Sequence, residues 1–265
     1  MGILNVTPNS FSDGGEFLEP EKAVDRALQM VAEGADFIDI GGESTRPGAQ
    51  PVSVDDEIAR VVPVIEAIVR QTDVPVSIDT TKSKVADRAL DAGAVIVNDI
   101  SGMTWDEKMA EVVARHDASV VLMHIKGMPR TMQENPFYND LIAEVYDFLF
   151  ERKQAAMQAG IDAERIIIDP GIGFGKRLGD NFELIGRLAE FSTLGAVMLG
   201  PSRKSFIGKV LDLPVTERAI GTAAAVAIST YLGVDILRVH DVGEMKQAAT
   251  IAWQCKVGSA AEIER

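Results

Sequence analysis

The chain has 265 residues, 26 of them basic and 40 acidic, for a formal net charge of −14, and one cysteine. At 46% apolar content it can bury a large core, which excludes intrinsic disorder. The acidic balance argues against nucleic acid or an anionic membrane surface as a partner. A lone Cys255 cannot staple a disulfide scaffold, which suits a reducing, cytoplasmic compartment. No stretch approaches the roughly 18 apolar residues of a membrane span. The opening MGILNVTPNSF also lacks the basic flank and apolar block of a secretion signal.

Along the chain one phrase recurs: an amphipathic stretch, a glycine, then a short apolar run ending in a polar residue. Gly34 precedes FIDIGG, Gly93 precedes VIVND, Gly160 precedes RIIIDPG, Gly195 precedes AVMLGPSR and Gly233 precedes DILRVH. Glycine there ends a helix in the left-handed conformation. Apolar runs without polar alternation read as strands buried on both faces of a parallel sheet. Adding GILNV, VPVSIDT and SVVLMH gives eight strands, near 2–6, 36–41, 75–79, 94–98, 119–124, 165–169, 196–200 and 234–239.

Helical segments lie between them. Residues 53–71 open on Ser53 and Asp56, a pair of the capping-box type, and carry Ile58, Val61, Val62, Ile65 and Ile68 at helical spacing. Residues 139–159 put Leu141, Val145, Phe148 and Leu149 on one stripe. Eight strands alternating with helices, without a linker between halves, predict an α/β chain forming a single (β/α)8 barrel, one domain over 1–265. A doubly wound open sheet is the alternative; the strand count and the length favour the barrel.

In either architecture ligands bind at the C-terminal strand ends. Those ends read Asn5, Asp39 with Gly41 and Gly42, Asp79, Asn98, His124, Asp169, Ser202-Arg203-Lys204, and Arg238 with His240. Any one could be a cap or a salt bridge. Eight polar ends together point to a binding rim, because an unpartnered buried polar group costs roughly 1–3 kcal/mol. The carboxylates and Asn98 suit the N–H and C=O edge of a planar heterocycle. Arg46, Arg203, Lys204, Arg238 and His240 gather positive or donating groups in an acidic chain, which suits a phosphate or diphosphate. Two loops, 7–20 around Phe11 and 41–51 with Thr45 and Arg46, have the composition of ligand-wrapping segments.

Absent motifs narrow the chemistry. GIGFGKR at 171–177 fits neither the P-loop nor the GxGxxG spacing, and HExxH and GxSxG do not occur. Three scattered histidines make no zinc site. Cys255 reads as a half-buried filler.

Several segments resemble the dihydropteroate synthases of folate biosynthesis: GILNVTPNSFSDGG at 2–15, GGESTRPGA at 41–49, SIDT at 77–80, NDISG at 98–102, LMHIKGMPRTMQ at 122–133, IIIDPGIGFGK at 166–176, SRKSFIG at 202–208 and RVHDV at 238–242. Two differences accompany the resemblance. Asn9 stands where the family usually has Asp, and the hairpin that often precedes the first strand is expected to be absent. The resemblance implies a transferase joining 4-aminobenzoate to (7,8-dihydropterin-6-yl)methyl diphosphate, with Mg²⁺, as a cytoplasmic homodimer. It implies that Asp79, Asn98, Asp169 and Lys204 hold the pterin edge, with Met123 near its face and Arg238 stacked on the ring. It assigns the diphosphate to Asn5, Thr45, Arg46, Arg238 and His240, with Asn5 the Mg²⁺ ligand. Phe11, Pro47, Phe174, Lys204 and Ser205 would shape the aminobenzoate pocket, and Lys204, Asp79, Arg238 and His240 would carry the catalysis.

Two other readings remain: a pterin-dependent methyltransferase on the same kind of barrel, and a non-catalytic pterin-binding paralogue. The GESTRPG and SRKS segments speak for a diphosphate leaving group. For the dimer, Ala223, Val226, Ile228, Ile251 and Trp253 on the last helices could serve, or could face the barrel.

Overall fold

A computed structural model describes residues 1–7, 19–44 and 50–258. Strand and helix alternate along it: β1 (Gly2–Asn5), α1 (Glu19–Ala32), β2 (Ile38–Gly41), α2 (Val54–Val69), β3 (Val76–Asp79), α3 (Ser83–Asp91), β4 (Ile96–Asp99) and α4 (Met109–Arg115). The second half continues with β5 (Ser119–Met123), α5 (Leu141–Gln158), β6 (Ile166–Asp169), α6 (Leu178–Gly186), β7 (Ala196–Leu199), α7 (Ser205–Leu211), α8 (Ala219–Leu232), β8 (Ile236–Leu237) and α9 (Val242–Val257).

The eight strands run parallel in sequence order. A parallel bridge between Gly2 and Val239 joins the last strand to the first, with Ile3 N–H donating to the Val239 carbonyl at 2.9 Å. The sheet is therefore a closed (β/α)8 barrel, and the open doubly wound alternative is excluded. Gly34, Gly93, Gly160, Gly195 and Gly233 all take positive φ, between 96° and 145°, as expected where a helix must turn back toward a strand. Ser53 caps α2, accepting from Asp56 N–H at 3.1 Å. On α5 the buried stripe is Leu141, Val145 and Leu149, with Phe148 partly covered.

The pleat sorts each strand into two faces. Val97, Val120, Leu122, Ile168, Val197 and Leu199 join the large core between strands and helices. Alternate residues point into the barrel, where Met1, Ile96, Val121, Ile167 and Met198 form an apolar plug with Phe37 and Ile236 against it. Two residues further along the same inward faces stand Asp39, Asn98, Met123, Asp169, Gly200 and Arg238. One step of the pleat thus carries the lumen from an apolar floor to a polar mouth.

The outer helices divide the residues considered for an interface. Val226 is fully buried and Ala223 packs on the core, whereas Ile228, Ile251 and Trp253 are exposed. Cys255 is exposed rather than half-buried, since its side of α9 faces away from the barrel. No helix among the described residues is long and apolar enough to cross a membrane.

Candidate active site

Strand register builds the site. Asn5 pairs with Gly41, Gly41 with Asp79, and Asp79 with Asn98, so four strand ends share one level; Met123 and Asp169 sit side by side on β5 and β6. Gly41 leaves room in this row, because a Cβ there would lie 3.7 Å from Asp79 Oδ2 and 3.9 Å from Asn5 Oδ1.

Arg238, beyond β8, lies across the mouth. Its Nε donates to Asp39 Oδ2 at 2.6 Å and its Nη2 to Asp79 Oδ2 at 2.6 Å. Asn98 Nδ2 donates to the same Asp39 oxygen at 3.0 Å. Asp39 is completely buried, and its Oδ1 and the neighbouring Ser77 Oγ have no hydrogen-bond partner. Burial pushes Asp79 up to about 7 despite the opposing charge of Arg238. The two carboxylates in turn raise Arg238 against its own burial.

On the other side, Lys204 Nζ donates to the Ile172 carbonyl and stands 4.5 Å from the centre of the Phe174 ring. Burial pulls this lysine down to about 8, with Asp169 opposing. Burial likewise raises Asp169, opposed by Lys204, by the Gly171 N–H and by Arg238. Gly200 lies between the two cations: a Cβ on it would be 3.8 Å from Arg238 Cβ and 4.0 Å from Lys204 Nζ. Asp79, Asn98, Asp169, Lys204 and Arg238 therefore converge on one rim. Met123 is buried beside them, its Cγ 3.3 Å from where a Gly171 Cβ would stand. Ser205 opens α7 next to Lys204 and is exposed. His240 Nδ1 and Ser202 Oγ are 2.8 Å apart, and the Arg26 guanidinium donates to the His240 carbonyl at 3.0 Å.

Phe11, Thr45, Arg46 and Pro47 lie outside the described residues. Arg203 does not join the cluster of cations at the mouth: its Nε donates to Asp241 Oδ2 at 2.9 Å, because a positive φ of 56° turns it toward the start of α9. The sequence places Asp39 among the polar strand ends but gives it no role of its own. It sits two residues before Gly41 on the inward face of β2, beneath the mouth, where it holds Arg238 and Asn98.

For a divalent cation, the row offers the neutral Asn5 Oδ1 beside an open Gly41. One neutral oxygen fits Mg²⁺ that keeps most of its shell from water and from a bound diphosphate. Asp87, Asp91 and His116 also have ligand-like spacing, but they lie on α3 and the end of α4, and Asp87 already pairs with Arg115 and His116. A cavity of about 310 Å³ lined by Phe37, Pro75, Val95 and Arg165 opens near the starts of the strands, at the end opposite the polar rim.

The pterin binding enzyme family model matches residues 1–240. The chain belongs to this family, among its dihydropteroate synthases. It is 51% identical to dihydropteroate synthase of Bacillus subtilis over 250 residues, covering 94% of this chain and 85% of that one. Among solved structures of the family, the Yersinia pestis dihydropteroate synthase with a sulfonamide drug superposes with a TM-score of 0.92 at 41% identity, covering 97% and 94% of the two chains. The Xanthomonas albilineans dihydropteroate synthase in complex with 7,8-dihydropteroate gives 0.88 at 42% identity, covering 98% and 93%.

Proposed function

We propose that this chain joins 4-aminobenzoate to (7,8-dihydropterin-6-yl)methyl diphosphate, giving 7,8-dihydropteroate and diphosphate by an SN1-like displacement at the polar mouth of the barrel. The observation that carries this reading is the convergence of Asp79, Asn98, Asp169, Lys204 and Arg238 on one rim, in a chain half identical to dihydropteroate synthases.

The pterin lies with its donor edge toward Asp79 and Asp169 and its carbonyl toward Lys204. Asn98 completes the edge, Met123 contacts one face, and the Arg238 guanidinium stacks on the ring. As the exocyclic C–O bond breaks, its electron pair leaves with the diphosphate and positive charge spreads over the electron-rich ring. Asp79 and Asp169 are fixed where that charge grows, so they favour the transition state over the neutral ground state. Arg46, Thr45 and His240 take the opposite charge on the leaving group. Asn5 would hold Mg²⁺, which would supply further neutralisation of the leaving group when bound. Phe11, Pro47, Phe174 and Ser205 hold the aminobenzoate ring, whose amine forms the new C–N bond and gives up a proton to the departing diphosphate or water. No covalent enzyme intermediate is needed.

The domain is read as one unit over 1–265 and its compartment as the cytoplasm. The partner is a second copy of the chain, held through the outer face of α8 and α9, where Ile220, Ile228, Tyr231, Ile251 and Trp253 are exposed. Incubation with the pterin diphosphate, 4-aminobenzoate and Mg²⁺, following dihydropteroate and diphosphate together, tests the function. Diphosphate release without dihydropteroate, or no turnover at all, would refute it.

A further inference from the structure

Between β6 and α6 the backbone makes a turn at 171–175 whose five consecutive carbonyls each accept a side-chain hydrogen bond. Lys204 reaches the Ile172 carbonyl from the mouth of the barrel. Gln133 Nε2 donates to Gly173 at 2.6 Å, and Tyr138 Oη to Gly175 at 2.7 Å. The remaining two, Gly171 at 3.2 Å and Phe174 at 3.0 Å, are both held by Lys176 Nζ from behind. Its third contact is Nδ1 of His124, at 2.8 Å. An ammonium has three donors, and here all three meet neutral acceptors.

Lys176 is only 3% exposed, and burying an amine whose hydrogen bonds all go to neutral groups is costly, a cost that the nearby Asp169 carboxylate opposes. Burial draws it down to about 7 and draws His124 down to about 2, so the imidazole is neutral and its Nδ1 can accept. The turn has no slack against β5: a Cβ at Gly171 or Gly175 would collide with the carbonyls of His124 and Lys126, and both glycines have positive φ. Asp169 is tied to the same turn, its Oδ1 accepting from Gly171 N–H at 2.7 Å.

We propose that Lys176 is a positioning residue of the reaction: its buried amine locks the 171–175 turn to His124 and so sets where Asp169 and Phe174 meet the two substrates. This rests on the proposed roles of Asp169 toward the pterin and Phe174 toward aminobenzoate. The hydrogen bonds of Lys176 go to the turn and to His124, so its role is one of positioning.

The test is steady-state kinetics of Lys176→Met, which keeps the length and apolar stem of the side chain and removes its three hydrogen bonds. A loosened turn raises KM for 4-aminobenzoate about tenfold, equivalent to roughly 1.4 kcal/mol, while kcat stays within about threefold. A residue that only supports the fold would instead lower kcat through the active fraction and leave KM unchanged. Should Lys176→Met fail to fold, Tyr138→Phe removes another donor to the turn without changing charge and should raise the same KM about threefold. KM unchanged in the folded variant, with an active parent, overturns the role of Lys176 alone; an inactive parent overturns the reaction as well.

Discussion

Asp39→Asn removes one buried charge while keeping the side-chain shape, and so probes the scaffold beneath the mouth. Asp39 Oδ2 accepts from Arg238 Nε at 2.6 Å and from Asn98 Nδ2 at 3.0 Å. A hydrogen bond to a charged group contributes about 1.5–3 kcal/mol and an ordinary one about 0.5–1.5. With its oxygen in the place of Oδ2 the new amide still accepts both bonds, now as neutral ones, but its N–H₂ falls where Oδ1 already lacks a partner. The net loss is about 2–3 kcal/mol, or roughly 4–12 °C in Tm for a domain of this size. A second readout is a pH profile of pterin binding. The Asp39 charge helps hold Asp79 up at about 7, so losing it moves that ionisation to lower pH. Calorimetry with the pterin substrate from pH 5.5 to 8.5, beside thermal unfolding, measures both; these are about the limits in which a carboxyl near 7 titrates. A variant with unchanged Tm, unchanged pterin affinity and an unmoved pH profile would refute the claim that Asp39 anchors Arg238 and Asn98.

Lys204→Ala should lower kcat/KM by about a hundredfold or more with the fold intact, read by circular dichroism beside the coupled assay. In the parent, kcat/KM should fall as pH rises through about 8, because Lys204 is cationic below that value and neutral above it; a flat alkaline limb would remove its charge from the mechanism. Gly171→Ala should be among the most disruptive single changes, about 3 kcal/mol or more in denaturant unfolding, since it adds a Cβ against the His124 carbonyl at a φ of +72°. Ile228→Glu places a charge on the exposed face of α8 and should convert a dimer to a monomer by light scattering; an unchanged mass would move the interface elsewhere.

Much of the polar rim was readable from chain order, because parallel strands carry their polar end groups at one end whatever the loops do. Asn5, Asp79, Asn98, Asp169, Lys204, Arg238 and His240 could be named from that rule together with the family motifs. Partnership was less legible. Arg203 looked like Lys204, yet it turns to Asp241. Asp39 could be placed at a strand end but not as the anchor of Arg238, and Lys176 gave no sign of lying behind the 171–175 turn, because their hydrogen bonds join segments 199 and 52 residues apart.

By itself the sequence determined the eight strands, their order and the helix stops, because runs buried on both faces and glycines at positive φ are local requirements that each segment meets alone. Tertiary structure decided which inward side chains share a level, which cation pairs with which carboxylate, and which side of α8 and α9 stays uncovered. Those outcomes depend on register across the closed sheet and on charges buried together in one lumen. Neither is a property of any single segment.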